Sequence, residues 1–235
     1  MKPKTVAKLD RELHWMGGVL GRQRDLDVLD DLLRSISDDR ASLRGTSVLV
    51  QLHKHRRDES RQVARFLRTK RYRRLLDRLD ESVTDPPLRQ NASEPACAML
   101  LPGLQGALST LFRTVDELGP APSNEDLHRV RIMAKQCRYS ADISSSFLGA
   151  SAEDVANSLA KVQTVLGDLH DRVVATTYLE GIQLSALQSG DPLANEESVT
   201  AAIDWLRESL DSLKPLWREP FEHARTSGES IVRLR

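Results

Sequence analysis

Leucine falls at helical intervals from one end of this 235-residue chain to the other, and nothing in it reads as a strand. In the first segment Leu9, Leu13, Met16, Leu20, Leu26, Leu29 and Leu33 recur three or four residues apart, or at sums of these. That spacing returns an apolar side chain to the same side of a 3.6-residue turn. No stretch alternates apolar and polar residues with β-branched enrichment, and no Asn-Gly or Asp-Gly pair joins two such stretches. The chain is therefore expected to be all-α. No run approaches 18 uninterrupted apolar residues, so no membrane-spanning helix is expected.

Turn residues divide the helices. Ser37-Asp38-Asp39 and Gly45-Thr46-Ser47 bracket a first connection, and Pro86, Pro87, Asn91, Ser93 and Pro95 make a loop of 83–96. Gly119-Pro120-Ala121-Pro122 is a firm stop. Ser123 then caps a new helix, with Asp126 placed to complete a capping box. Gly190-Asp191-Pro192 and Pro215 mark the last two breaks. The expected helices are 5–36, bent at Gly17-Gly18, then 47–69, 71–82 and 97–117, followed by 123–148, 152–188, 195–213 and 215–230. Short connections favour antiparallel neighbours and bundle packing. Val19-Leu20-Gly21 with Asp25 and Val165-Leu166-Gly167 with Asp171 align without gaps. A glycine inside a helix costs about 1 kcal/mol relative to alanine, so both copies are expected at close helix approaches. The pair suggests a bundle built twice, in halves 1–119 and 120–235 with a pseudo-two-fold relation.

The 34 Lys+Arg balance 34 Asp+Glu, a net charge of +0. The zero is a cancellation. Residues 53–78 carry eleven Lys+Arg against three acids, a balance of +8, while 139–211 carry twelve acids against three Lys+Arg, a balance of −9. Arg57, Arg61, Arg65 and Arg68 recur four and three apart and form one stripe. Like charges so placed repel, which asks for an anionic partner, either the acidic half of the same fold or a ligand.

A second basic feature is sharper. His128, Arg131, Lys135 and Arg138 project from one helical face, while Val130, Ala134 and Cys137 share another. The four span about 15 Å of helix, which suits an extended phosphate chain better than a compact anion. Arginine adds a bidentate fork for phosphate oxygens and lysine a point charge. His170-Asp171 invites comparison with metal-dependent phosphohydrolases, but His14, His53, His55, His128 and His223 supply no further ligand spacing. The two cysteines, Cys97 and Cys137, are expected reduced, Cys137 as a small packing residue with a lowered thiol pKa the less favoured reading beside Arg138. Met1-Lys2-Pro3-Lys4 does not open a secretory signal, so a cytoplasmic location is expected.

Leu127-His128-Arg129-Val130-Arg131 through Lys135, Arg138 and Tyr139, followed by Val165-Leu166-Gly167-Asp168-Leu169-His170-Asp171, resembles the CHAD domain, the conserved histidine α-helical domain. Leu20-Gly21-Arg22-Gln23-Arg24-Asp25 matches that family's first-half motif, and Lys70-Arg71-Tyr72-Arg73-Arg74 its next element. The resemblance spans about 12–180. It implies two four-helix bundles related by a pseudo-two-fold axis, a basic surface or pore, binding of inorganic polyphosphate and association with polyphosphate granules. Carried over by motif, the binding set is His128, Arg131, Lys135 and Arg138, with Arg22 and Arg24 from the first half and His170 from the second; Arg57, Arg61 and Arg65 join it from the basic stripe. The family opens with a first-half His-x-x-Arg helix. This chain starts just before the next helix, so the first helix of the first half is expected to be missing and a homodimer to cover the groove.

Polyphosphate binding without catalysis is the leading reading, with no cofactor and no membrane partner. Histidine ordinarily gains its proton near pH 6.5, so binding is expected to strengthen below about that pH. Three alternatives stand beside it: a nucleic-acid binder using the Arg57–Arg68 stripe, a metal-dependent phosphohydrolase, and a scaffold whose basic and acidic halves pair with each other. Among the basic residues only Phe66 and Tyr72 could stack on bases, so the first alternative is poorly supplied.

Overall fold

A computed structural model describes residues 1–36, 43, 46–89, 92–189 and 197–234. Regular structure among them is helical throughout: α1 (Pro3–Ser35), α2 (Ser47–Leu67), α3 (Lys70–Thr84), α4 (Ala96–Asp116), α5 (Asn124–Leu148), α6 (Ala150–Ser189), α7 (Glu197–Leu213) and α8 (Arg218–Val232). Each expected boundary lies within three residues of an observed one. The largest offset is at Pro215, which begins a turn (Arg218 N–H donates to the Pro215 carbonyl at 3.2 Å) before α8 starts. Ser37-Asp38-Asp39, Gly45, Asn91 and Gly190-Asp191-Pro192 lie outside the described residues, as do 195 and 196. Among the described residues no helix is long and apolar enough to cross a membrane.

The helices sort into two compact units, one of 1–93 with 177–203 and one of 94–176 with 204–235. The division is interleaved rather than a cut at 119/120. The boundary at 93/94 comes from α4, which packs on α5 and α8 and so belongs to the second unit, and the interleaving comes from 177–203, which joins the first. Its Leu104, Leu108, Leu111 and Phe112 join Val130 and Ala134 of α5, Leu159 and Leu166 of α6, and Phe221 of α8 in one buried core. Phe112 meets Phe221 edge-on at 6.1 Å, and Trp217 meets Phe221 at 5.6 Å. Gln105 of α4 caps α8, its amide donating to the carbonyls of Ile231 at 3.0 Å and Leu234 at 2.8 Å. Such carbonyls at a helix end otherwise lack partners.

Glycine marks a close approach, but not where the repeat suggested. A Cβ at Gly21 would meet nothing within 4 Å, whereas one at Gly228 would lie 2.8 Å from Phe112 Cζ. The tight crossing is therefore between α8 and α4.

In the first unit α1 packs on α2 and α3. Leu29, Leu33, Leu52, Phe66 and Leu75 are buried. Val50 and Leu67 of α2 are 62% and 44% exposed; Val50 lies two residues from Leu52 and so on the far side of the helix. Trp15 sits 4.7 Å from Phe66, and the Arg71 guanidinium lies 3.8 Å over Trp15 while its Nε donates to Glu12 Oε2 at 2.8 Å. Arg71 is thus occupied in joining α3 to α1.

Asp30 is 3% exposed beneath two guanidinium groups and an imidazole. Arg34 Nε stands 3.0 Å from its Oδ2, His53 Nε2 stands 3.0 Å from its Oδ1, and Arg56 bonds both Asp30 and Asp27. Burial pushes the Asp30 carboxyl up, but hydrogen bonds from Arg34 and His53 and the charge of Arg56 outweigh it, leaving the pKa below the usual value. A lowered carboxylate pKa contributes stability above its unfolded value, about 3.9, and that contribution drains as pH falls through the lower folded value. The stability gap between wild type and Asp30→Asn in urea titrations is therefore expected to be open at neutral pH and to close below about pH 4; a gap that persists in acid would show the network to be incidental.

Candidate functional site

The capping box at Ser123 starts α5. Ser123 Oγ accepts from the Asp126 N–H at 3.1 Å, and Asp126 Oδ2 accepts from the Ser123 N–H at 3.1 Å. The Ser123 hydroxyl also donates to Asp126 Oδ2 at 2.7 Å, and this bond together with the one from the Ser123 backbone holds the Asp126 carboxyl below its usual range. α5 ends at Gly149, whose φ of 61° and ψ of −142° suit a residue without a Cβ, and α6 begins at the next residue.

This joint folds α6 back along α5, so residues equally far from Gly149 meet. Gly149 lies midway between His128 and His170, and their rings stack with centroids 4.6 Å apart and planes 35° apart. It also lies midway between Arg131 and Gly167, and a Cβ on Gly167 would stand 3.7 Å from Arg131 Nε. The second Val-Leu-Gly glycine therefore leaves room for a guanidinium rather than for a helix backbone.

The expected division of α5 into two faces holds. Leu127, Val130, Ala134, Cys137 and Ala141 are buried in the core. Burial pushes the Cys137 thiol up to about 12, which makes it a packing residue and not a reactive thiolate; Cys97 is exposed, and both cysteines are free. On the other face His128, Arg131 and Arg138 are partly buried and Lys135 is exposed. Arg138 and Lys135 lie over the Tyr139 ring at 4.8 and 5.9 Å. His128 Nδ1, Arg131 Nε and Arg138 Nε are shielded from solvent and have no hydrogen-bond partner among the described residues. The nearest carboxylate oxygen to Arg138 Nε, Asp142 Oδ2 at 3.9 Å, is beyond hydrogen-bond reach. A buried polar atom left without a partner costs about 1–3 kcal/mol. Two of these three are guanidinium N–H donors, and their shared need is an acceptor bearing negative charge.

The candidates of the first unit are differently placed. Arg22 is engaged, its Nε 3.3 Å from Glu59 Oε2 and its Nη1 donating to the Gly18 carbonyl at 3.0 Å. Arg24 is exposed on α1. Arg61 pairs with Asp58 at 3.0 Å, and Arg65 Nε donates to the Arg61 carbonyl at 3.4 Å. Arg57 lines an open cleft of about 400 Å³ with Gln23, Arg34, His53, Arg56 and Ser60. The cations of that cleft other than Arg57 had no part in the expected site; Asp27/Asp30 on one helix and His53/Arg56 on the next, each three apart, were the available signal. A larger cleft of about 540 Å³, lined by Gln51, His55, Tyr178 and Ser185 among others, is reached by none of the candidate arginines. Phe66 is buried against Trp15 and Tyr72, which removes it as a stacking surface. Among the described residues no three His, Cys, Asp or Glu side chains converge as a metal site would require.

The CHAD domain family model matches residues 1–180. Two curated relatives, the uncharacterized proteins MT2285 of Mycobacterium tuberculosis (strain CDC 1551 / Oshkosh) and Rv2226 of Mycobacterium tuberculosis (strain ATCC 25618 / H37Rv), are each 28% identical to the chain over 238 residues. The alignments cover 98% of this chain and 44% of either relative, so the chain spans less than half the length of the relatives it matches. No solved structure matches it.

Proposed function

The chain belongs to the CHAD domain family, and from that premise we propose that it binds inorganic polyphosphate, without catalysis, along the cationic face of α5. The CHAD domain is associated with polyphosphate binding in general. The observation that carries the reading to particular residues is the set of solvent-shielded, unpartnered nitrogens on His128, Arg131 and Arg138. A phosphate oxygen that these side chains turn outward to meet satisfies such donors with charge-assisted bonds, and consecutive phosphates follow the row of side chains. The protein is proposed to act in the cytoplasm, at polyphosphate granules.

Direct competition tests this. Labelled polyphosphate is bound first and then challenged with equal phosphate-equivalents of unlabelled polyphosphate, DNA or RNA. Displacement by polyphosphate alone supports the reading, and equal displacement by nucleic acid overturns it. Release of orthophosphate during the titration would overturn the non-catalytic part.

A further inference from the structure

α1 carries a second face that no element among the described residues covers. Its buried residues, Leu29, Asp30 and Leu33, all lie in its last two turns. On the outer side Val6, Leu13 and Leu20 repeat every seven residues and are 47%, 39% and 36% exposed. Between and beside them Gly17 and Gly21 form a flat strip, and a Cβ at either would meet nothing within 4 Å. At 3.6 residues per turn Val6, Asp10, Leu13, Gly17, Leu20, Gly21 and Arg24 all fall within about 60° of Gly17 around the axis. Glycines four apart beside leucines let two helix backbones approach closely, and they lower helix propensity wherever nothing uses the space.

The charges select the partner. Asp10 and Arg24 are exposed on this same stripe and have no ion-pair partner among the described residues. They stand equally far before and after Gly17. A two-fold interface requires that if one residue contacts another, the reverse contact also occurs. Two copies of α1 crossing antiparallel at Gly17 meet that condition: each Asp10 faces the other copy's Arg24, and each Leu13 faces the other copy's Gly21. From this arrangement we propose that the protein self-associates through α1, as an antiparallel pair centred on Gly17 with two Asp10–Arg24 bridges. Arg24, brought into the phosphate-binding set by family resemblance, is assigned to this contact instead. The proposal stands apart from polyphosphate binding, since none of its residues lies on α5 or α6.

Sedimentation equilibrium across the micromolar range tests it with four proteins: wild type, Asp10→Arg, Arg24→Asp and the double reversal. Wild type is expected to dimerise. Either single reversal sets like charges together at two places and should weaken the dimer at least about tenfold, since like-charge juxtaposition costs several kcal/mol. The double reversal should restore it. Because both substitutions are at exposed positions, circular dichroism should stay unchanged in all three variants, and rescue by the double variant cannot arise from misfolding. A wild type monomeric throughout, a dimer indifferent to the single reversals, or a double variant that stays monomeric would each overturn the proposal.

Discussion

Replacing Arg131, Lys135 and Arg138 together by alanine is expected to weaken polyphosphate binding by on the order of 100-fold while leaving the fold intact. Hydrogen bonds to charged groups contribute about 1.5–3 kcal/mol each when shielded and less when exposed. Arg131 and Arg138 have their Nε atoms shielded, whereas Lys135 is exposed. About 1 kcal/mol from each of three contacts is a factor of about 150 in affinity. The fold should survive because the buried side of α5 is Val130, Ala134, Cys137 and Ala141, which the substitutions leave alone. A second readout separates charge from shape. By analogy with nucleic acids, each neutralised phosphate adds roughly 0.7–0.9 to the slope of log affinity against log salt, so the triple variant should lose about two to three units of slope. Fluorescence anisotropy of labelled polyphosphate at several salt concentrations measures both. Unchanged affinity would remove this face as the site.

Gly149→Ala is expected to be the most damaging single substitution outside the core. A side chain at φ 61°, ψ −142° costs about 1–3 kcal/mol. A domain of this size loses roughly 2–4 °C of Tm per kcal/mol, so thermal unfolding should fall by about 2–12 °C. The variant should also lower polyphosphate affinity, because Gly149 sets the register in which His128 meets His170 and Arg131 meets Gly167. Gly106→Ala is the control: it lies inside α4 and its Cβ would meet nothing, so that variant should gain up to about 1 kcal/mol of helix propensity. Equal behaviour of the two variants would mean that the joint is not the constraint it is taken for.

The contrast between these glycines shows what periodicity carries and what it does not. The helices α1 to α8 follow from leucine spacing and breakers, because a buried face and a stop signal are local properties of the chain. The cationic row on α5 follows for the same reason. The partner of that row does not. Spacing gives His128 and His170 separate helices, and nothing in either helix says that they are neighbours. That information sits in Gly149, the single residue separating α5 from α6, whose neighbours at equal distances on either side are the site. Charge counting was likewise only half informative. The +8 segment contains Arg56 and Arg71, whose charges are spent on Asp27, Asp30 and Glu12 inside the fold. A run of arginines does not reveal which of them face carboxylates on the next helix. The Val-Leu-Gly motif misled at Gly21, where no described helix of the same chain comes close, because a glycine states only that space is left and not what fills it.

The most direct test is a co-crystal with tripolyphosphate. Phosphate oxygens within hydrogen-bond distance of His128 Nδ1 and Arg131 Nε, with the chain extending past Lys135 toward Arg138, are the expected result. An ordered tripolyphosphate held instead by Arg57, Arg61 and Arg65, with His128 Nδ1 and Arg131 Nε still unpartnered, would contradict the account.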